Sequence, residues 1–122
     1  MAETNQLVVM ITSGLDDERS SVAWSVANGG IAGGLKLTVF LAGSGVEWAR
    51  KRVGIGPHLN PLDPPVYDMV EKLMSAGGKV FACPPCSGVR GLTPETMIEG
   101  VVISGSGAMH ERIKEGAATL CF

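Results

Sequence analysis

The chain has 122 residues, 45% of them hydrophobic and 18% charged, with a formal net charge of −2. That length and balance predict a single domain spanning residues 1–122 with a full core, not a disordered chain or a small fold that needs disulfide staples. Lys and Arg form no run beyond "RKR" at 50–52, which argues against nucleic acid as a partner; apolar runs of strand length argue against a membrane span, and the polar opening "MAETNQ" lacks a signal pattern, so a cytoplasmic location is expected.

The first apolar run, "LVVMIT" (7–12), reads as a strand, and "TSGLDD" (12–17) turns it into a helix over 16–33. Val22, Ala23, Val26, Ala27 and Ile31 are expected on the buried face of that helix, with Asp16 or Asp17 as its cap and Gly33-Gly34 as its exit. Gly29-Gly30 inside the helix costs roughly 1 kcal/mol per glycine relative to alanine. Close approach to a sheet or to another subunit would explain that cost. Trp24 and Trp48 both fall on helical segments, as core residues or as subunit contacts.

A second strand, "LKLTVFLA" (35–42), leads into the glycine–serine turn "GSGVE" (43–47). The irregular segment "VGIGPHLNPLDP" (53–64) is too long for a tight connection and is a candidate lid over the strand ends, or else a proline-stiffened surface loop. Residues 63–76 carry Val66, Val70, Leu73 and Met74 at helical spacing, with Asp63 as cap, prolines in the first turn and Gly77-Gly78 as the stop. "KVFACP" (79–84), "GVVIS" (100–104) and "ATLCF" (118–122) complete five strands. Thr93-Pro94-Glu95 opens a short helix, and Ser104 or Ser106 opens another that runs to about Lys114.

Most of these runs lack polar alternation, as expected for parallel strands covered on both faces. Strand and helix alternate along the chain, so the fold class is α/β, a three-layer sandwich with right-handed crossovers. Ligands of such sheets bind beyond the carboxyl ends of the strands. The segments reaching that edge hold Ser13 and Gly14, then Gly43, Ser44 and Gly45, then Cys83 and Cys86 with Arg90 beyond them, and finally Gly105. Glycine–serine turns that lead into helices leave N–H groups free for an anion, a thiolate included. No nucleotide fingerprint is present: "GSGVEWARK" lacks the third glycine of G-x-G-x-x-G.

"CPPC" (83–86) carries the chemistry. A redox pair needs its Cα atoms within about 7 Å. Proline disfavours helical backbone in the residue before it, so Cys83 and Pro84 are expected to be extended. A polyproline-like path at about 3.1 Å per residue separates the two cysteines by about 9 Å, which disfavours an easy disulfide. Zinc would need four ligands, and the chain offers one Cys-x-x-Cys pair with His58, His110 and Cys121 but no second paired motif. A single nucleophilic thiol remains, Cys83, held as thiolate by the glycine–serine turns and Arg90, with Cys86 as resolving thiol or passive neighbour. A buried, inert Cys83 is the alternative, and Cys121 is expected in the core.

The order "LVVMITSGLDD…LTVFLAGSGV…GGKVFACPPCSGVRGL…EGVVISG…EGAATLCF" resembles the DsrE/DsrF-like family over nearly the whole chain. The specific pieces are "TSG-x-DD" after the first strand, the cysteine closing the third, and Arg90-Gly91 seven and eight residues beyond it. The resemblance implies a five-stranded parallel sheet and assembly into trimers or hexamers. In sulfur-relay members a cysteine at this strand end accepts a persulfide sulfur from a donor protein and passes it to an acceptor; by position that residue is Cys83. Such chemistry requires no metal or organic cofactor. Pro84-Pro85 and Cys86 lie outside the relay pattern. Two other readings stand beside it: an oligomeric module binding a small anion or thiol at the glycine-rich rim, and a thiol–disulfide redox protein using Cys83 and Cys86.

Overall fold

The computed structural model describes residues 5–52, 54 and 56–122. Five parallel strands, β1 (Gln6–Ile11), β2 (Lys36–Leu41), β3 (Lys79–Ala82), β4 (Val102–Ile103) and β5 (Ala118–Cys121), form one sheet in the order β4-β3-β2-β1-β5. Helices α1 (Arg19–Ala32), α2 (Val66–Ser75), α3 (Pro84–Gly88) and α4 (Gly107–Lys114) connect them. The chain steps from β1 to β4 in one direction and then crosses back beyond β1 to β5. Right-handed crossovers therefore put α1 and α2 on one face of the sheet and α4 on the other. This is the expected three-layer α/β/α sandwich.

The two faces are unequally covered. Alternate residues of the central strands, Leu7, Val9 and Ile11 with Leu37, Val39, Leu41, Val80 and Ala82, pack against Ala23, Trp24 and Ala27 of α1 and Val66, Val70 and Leu73 of α2. On the other face Val8, Thr38 and Phe40 are buried, but Phe81 is only half-buried, beneath the Arg112 guanidinium, 5.2 Å from its ring centroid. Helix α4 has no buried residue, and every residue of β5 is exposed. Full coverage of both faces holds for β1 and β2 and fails for β4 and β5. Cys121 is accordingly exposed rather than in the core: β5 is an edge strand, and α4 leaves it uncovered.

Local differences from the sequence reading have physical causes. The buried face of α1 is Ser20, Ser21, Ala23, Trp24 and Ala27, with Val22 turned out to 45% exposure. Serines occupy buried positions because their hydroxyls bind neighbouring segments. Ser21 Oγ donates to Asp63 Oδ2 at 2.7 Å, which takes Asp63 away from the expected cap of α2; Pro65 stands at that position instead. Helix α1 starts three residues later than expected, with the Asp17 carboxylate accepting the Arg19 N–H at 2.9 Å and the Arg19 guanidinium at 2.6 Å. Gly30 does mark a close approach to the sheet: a Cβ there would lie 2.9 Å from Leu37 Cδ2. Both tryptophans are fully buried, so neither is available as a subunit contact. Of the candidate lid, Val53 and Ile55 lie outside the described residues. Its later part is tied down, with His58 Nε2 2.6 Å from the Asp63 carbonyl oxygen and Asp63 bound to α1.

Candidate functional site: a paired thiol at the carboxyl rim

The carboxyl ends of the strands are levelled by hydrogen bonds that continue the sheet past its last residues. Ala42 N–H donates to Ile11 O at 3.1 Å, Cys83 N–H to Leu41 O at 2.9 Å, and Ser104 N–H to Ala82 O at 3.1 Å. Beyond β5, Thr12 donates through both its N–H and its hydroxyl to Phe122 O. The four sequence segments singled out above thus do meet along one rim.

After β2 the chain turns through Gly43, whose φ of +54° lies in the left-handed region that favours glycine. It then forms a 3-10 segment, Gly43–Ala49, laid directly on the end of β1. Gly45 permits that contact, since a Cβ on it would drive into the Ile11 carbonyl oxygen. Trp48 anchors the segment from below: its indole N–H reaches Ser20 Oγ at 3.0 Å and Ser13 O at 3.2 Å. Ser20 Oγ in turn lies 2.7 Å from Gly14 O and 2.9 Å from Ser13 O. The carbonyl oxygens of Ser13 and Gly14 are therefore committed to scaffolding, while the buried Ser13 hydroxyl has no partner among the described residues. The Trp48–Ser20 clamp is missing from the sequence reading. Trp48 and Ser20 are 28 positions apart, and nothing in either local pattern announces the pairing.

The cysteine pair departs from the expected extended path. Cys83 is the N-cap of α3, with Pro84 and Pro85 as its first two residues, and Ser87 N–H donates to Cys83 O at 2.9 Å to close a helical turn. The preference of a pre-proline residue for extended backbone acts on Cys83, whose ψ is 127°, but is overridden at Pro84. Pro84 has its φ already set near the helical value and sits where a missing N–H costs nothing. Three residues along an α-helix place Cα atoms about 5 Å apart, inside the range for a disulfide of about 4.4–6.8 Å. The geometric objection to a Cys83–Cys86 bridge is thereby removed.

Both thiols are half-buried. They lie within reach of a weak hydrogen bond, and their surroundings push them apart in acidity. Burial pushes the Cys83 thiol up, offset in part by the Cys86 N–H and reinforced by the neighbouring Cys86 sulfur. The Cys86 thiol is held below the ordinary range, first by the Cys83 thiol donating to it, then by the Gly43 backbone N–H, with the Arg90 charge contributing. The stabilising groups expected around Cys83, the glycine turn and Arg90, act on Cys86 instead. The reason is helical: α3 brings the residue at its third position back over the Gly43 turn. Arg90 Nη1 also donates to Cys86 O at 3.0 Å, and Arg90's own carbonyl accepts from Arg50 Nη2 at 3.3 Å. Arg50 is paired with Glu47 at 2.9 Å, so α3 is tied to the 3-10 segment at both of its ends.

The site thus gathers Cys83, Cys86, Gly43 and Arg90. Ser44 and Gly105 lie at the same rim, both exposed, Gly105 one strand over beyond β4. His110 is exposed on α4 and Cys121 on β5, and no group of three or more His, Cys, Asp or Glu residues with metal-binding placement occurs among the described residues.

Known proteins are similar to this chain over most of its length. The chain is 30% identical over 116 residues to the uncharacterised protein MK0008 of Methanopyrus kandleri, spanning 94% of this chain and 91% of that one. It is 29% identical over 107 residues to the uncharacterised protein MJ0989 of Methanocaldococcus jannaschii, spanning 87% and 86%. Among solved structures, the YchN protein of E. coli superposes with a TM-score of 0.80 at 18% identity, over 98% of this chain and 100% of that one. MTH1491 of Methanobacterium thermoautotrophicum, a protein of unknown function, superposes with a TM-score of 0.73 at 22% identity, over 96% and 99%. The model of the DsrE/DsrF-like family matches residues 5–122, and with the five-stranded parallel sheet and its rim in place, the chain belongs to the DsrE/DsrF-like family.

Proposed function

We propose that the protein is a sulfur carrier of the sulfurtransferase type, which holds sulfane sulfur as a persulfide on the Cys83–Cys86 pair and passes it to a partner thiol. The observation that carries this reading is the pair itself: two half-buried thiols on one helical turn at the carboxyl rim, one of them held toward the thiolate. A thiolate attacks the outer sulfur of a donor persulfide, takes that sulfur and releases the donor as a thiolate. Family membership supports the same chemistry, and the resemblance of the motif around Arg90-Gly91 implies Cys83 as the relay position. The electrostatics favour Cys86 as the sulfur that opens the exchange, because the nucleophile is the thiolate.

The donor and the acceptor are proteins carrying accessible cysteines, and copies of this chain assemble with one another through the poorly covered sheet face. The test is intact-mass spectrometry after exposure to inorganic polysulfide and desalting. A gain of about 32 Da, one sulfur atom, is expected, mapping to the peptide that contains Cys83 and Cys86. Absence of any adduct on that peptide in the wild type and in both single serine variants, Cys83→Ser and Cys86→Ser, overturns the reading. A thiol-free binding module is the alternative outcome, in which small anions bind the wild type and the doubly serine-substituted pair alike.

A further inference from the structure

We propose that Cys83 discharges a persulfide held on Cys86 within the same chain, releasing hydrosulfide and leaving a Cys83–Cys86 disulfide. The inference rests on the carrier reading above and adds a second activity to it, a persulfide-reducing step that a single-thiol carrier cannot perform.

The geometry points this way. The N-cap and third positions of α3 hold their Cα atoms about 5 Å apart, a separation that a disulfide spans without moving the backbone. The turn between them is pre-set. Pro84 and Pro85 are locked in φ, and the Ser87-to-Cys83 and Val89-to-Pro85 hydrogen bonds, 2.9 and 3.1 Å, close the helix around them. Bridging therefore orders little that is not already ordered. The third thiol, Cys121, lies on β5, and strands β1 and β2 stand between it and the end of β3 that carries the pair.

The step balances. Cys86 carries the sulfane sulfur as a persulfide anion, and Cys83 is a thiol, kept protonated by its burial. The Cys83 proton passes to the terminal sulfur, the Cys83 thiolate so formed attacks Cys86 Sγ, the Cys86 sulfur–sulfur bond to the terminal atom breaks, and that atom departs as hydrosulfide. The sulfane sulfur gains two electrons, and the two cysteine sulfurs lose them as they bond. A dithiol reductant must then reopen the bridge. The groups that favour the Cys86 thiolate, the Gly43 N–H and Arg90, also favour the reduced pair and so ease that reopening.

The test uses the wild-type chain, Cys83→Ser and Cys86→Ser, each also with Cys121→Ser to prevent bridging between chains. Each is loaded with inorganic polysulfide, desalted, and followed by intact mass and hydrosulfide assay. Wild type should lose its adduct, release hydrosulfide and end about 2 Da, two hydrogens, below its reduced mass. Cys83→Ser should keep its adduct at least about tenfold longer and release hydrosulfide only when dithiothreitol is added. Wild type that retains its adduct as long as Cys83→Ser, without forming the bridge, overturns the inference and leaves the carrier reading intact. An adduct that forms on Cys86→Ser but not on Cys83→Ser reverses the roles and also overturns it. Failure of all the chains to load overturns the carrier reading and the inference together.

Discussion

At Arg90 one side chain carries two duties. Its guanidinium donates to the Cys86 carbonyl, and its charge helps hold the Cys86 thiol below the usual range. Arg90→Met keeps the aliphatic stem and removes the charge. Because a thiol with a depressed pKa is reactive at lower pH, alkylation of wild-type Cys86 should begin below the pH at which Cys83 responds, whose burial shifts it the other way. In Arg90→Met the Cys86 profile should move up toward the ordinary thiol range, with slower alkylation at neutral pH. Peptide mapping of pH-dependent iodoacetamide labelling checks both, and an unchanged profile would remove Arg90 from the site. The sequence marked Arg90 through its spacing to Cys83. It could not indicate that Cys86 is the thiol that benefits, because that depends on whether the segment between the cysteines is extended or helical. Two prolines in a row argue for the former until the first is placed at the start of a helix.

At the scale of elements, the 3-10 segment Gly43–Ala49 is the platform on which α3 rests. It is held by the absence of a side chain at Gly45 and by the Trp48 indole below. Gly45→Ala would force a methyl group against the Ile11 carbonyl. Overpacking of this kind costs typically about 1–3 kcal/mol, so the urea midpoint should fall by a corresponding amount with an unchanged slope. Displacing the platform also withdraws the Gly43 N–H from Cys86, so thiol reactivity at neutral pH should fall in the same variant. A midpoint within error of wild type would contradict the close contact. The glycine–serine turns were readable as rim elements in the sequence, and their positions at the strand ends followed from the α/β alternation. The Trp48–Ser13–Ser20 network was not, since it links three segments that meet only when the sheet is assembled. The buried face of helix α1 keeps Ala23 and Ala27 but turns toward Ser20 and Ser21 for a related reason: buried serines bonded to other segments look polar in a pattern of apolar spacing.

Over the whole molecule, the strand and helix order and the parallel sheet were legible from apolar runs punctuated by glycine and proline. The unequal covering of the two faces was not, because "GVVIS" and "ATLCF" look like buried strands whatever covers them. On the α4 side of the sheet, Val102 of β4, level with Phe81, and Ile113 of α4 are 50% and 40% exposed in the single chain. If copies of the chain cover this region, Val102→Lys should reduce the mass measured by light scattering at micromolar concentration while leaving the helical circular-dichroism signal unchanged. A wild-type chain that is monomeric under the same conditions would refute assembly through this face. The rim imposes a further condition on any visitor. Pro84 and Pro85 stand exposed at the mouth of the thiol pair, and neither has a main-chain donor to offer. An incoming polypeptide cannot be gripped there by the ladder of amide contacts that an open sheet edge supplies. It must instead lie on pyrrolidine rings and the neighbouring Val89, 81% exposed, and present its sulfur end-on. Recognition at this mouth is thereby weighted toward the shape of the visitor's side chains, and a cysteine on a protruding tip fits it better than one within an extended strand.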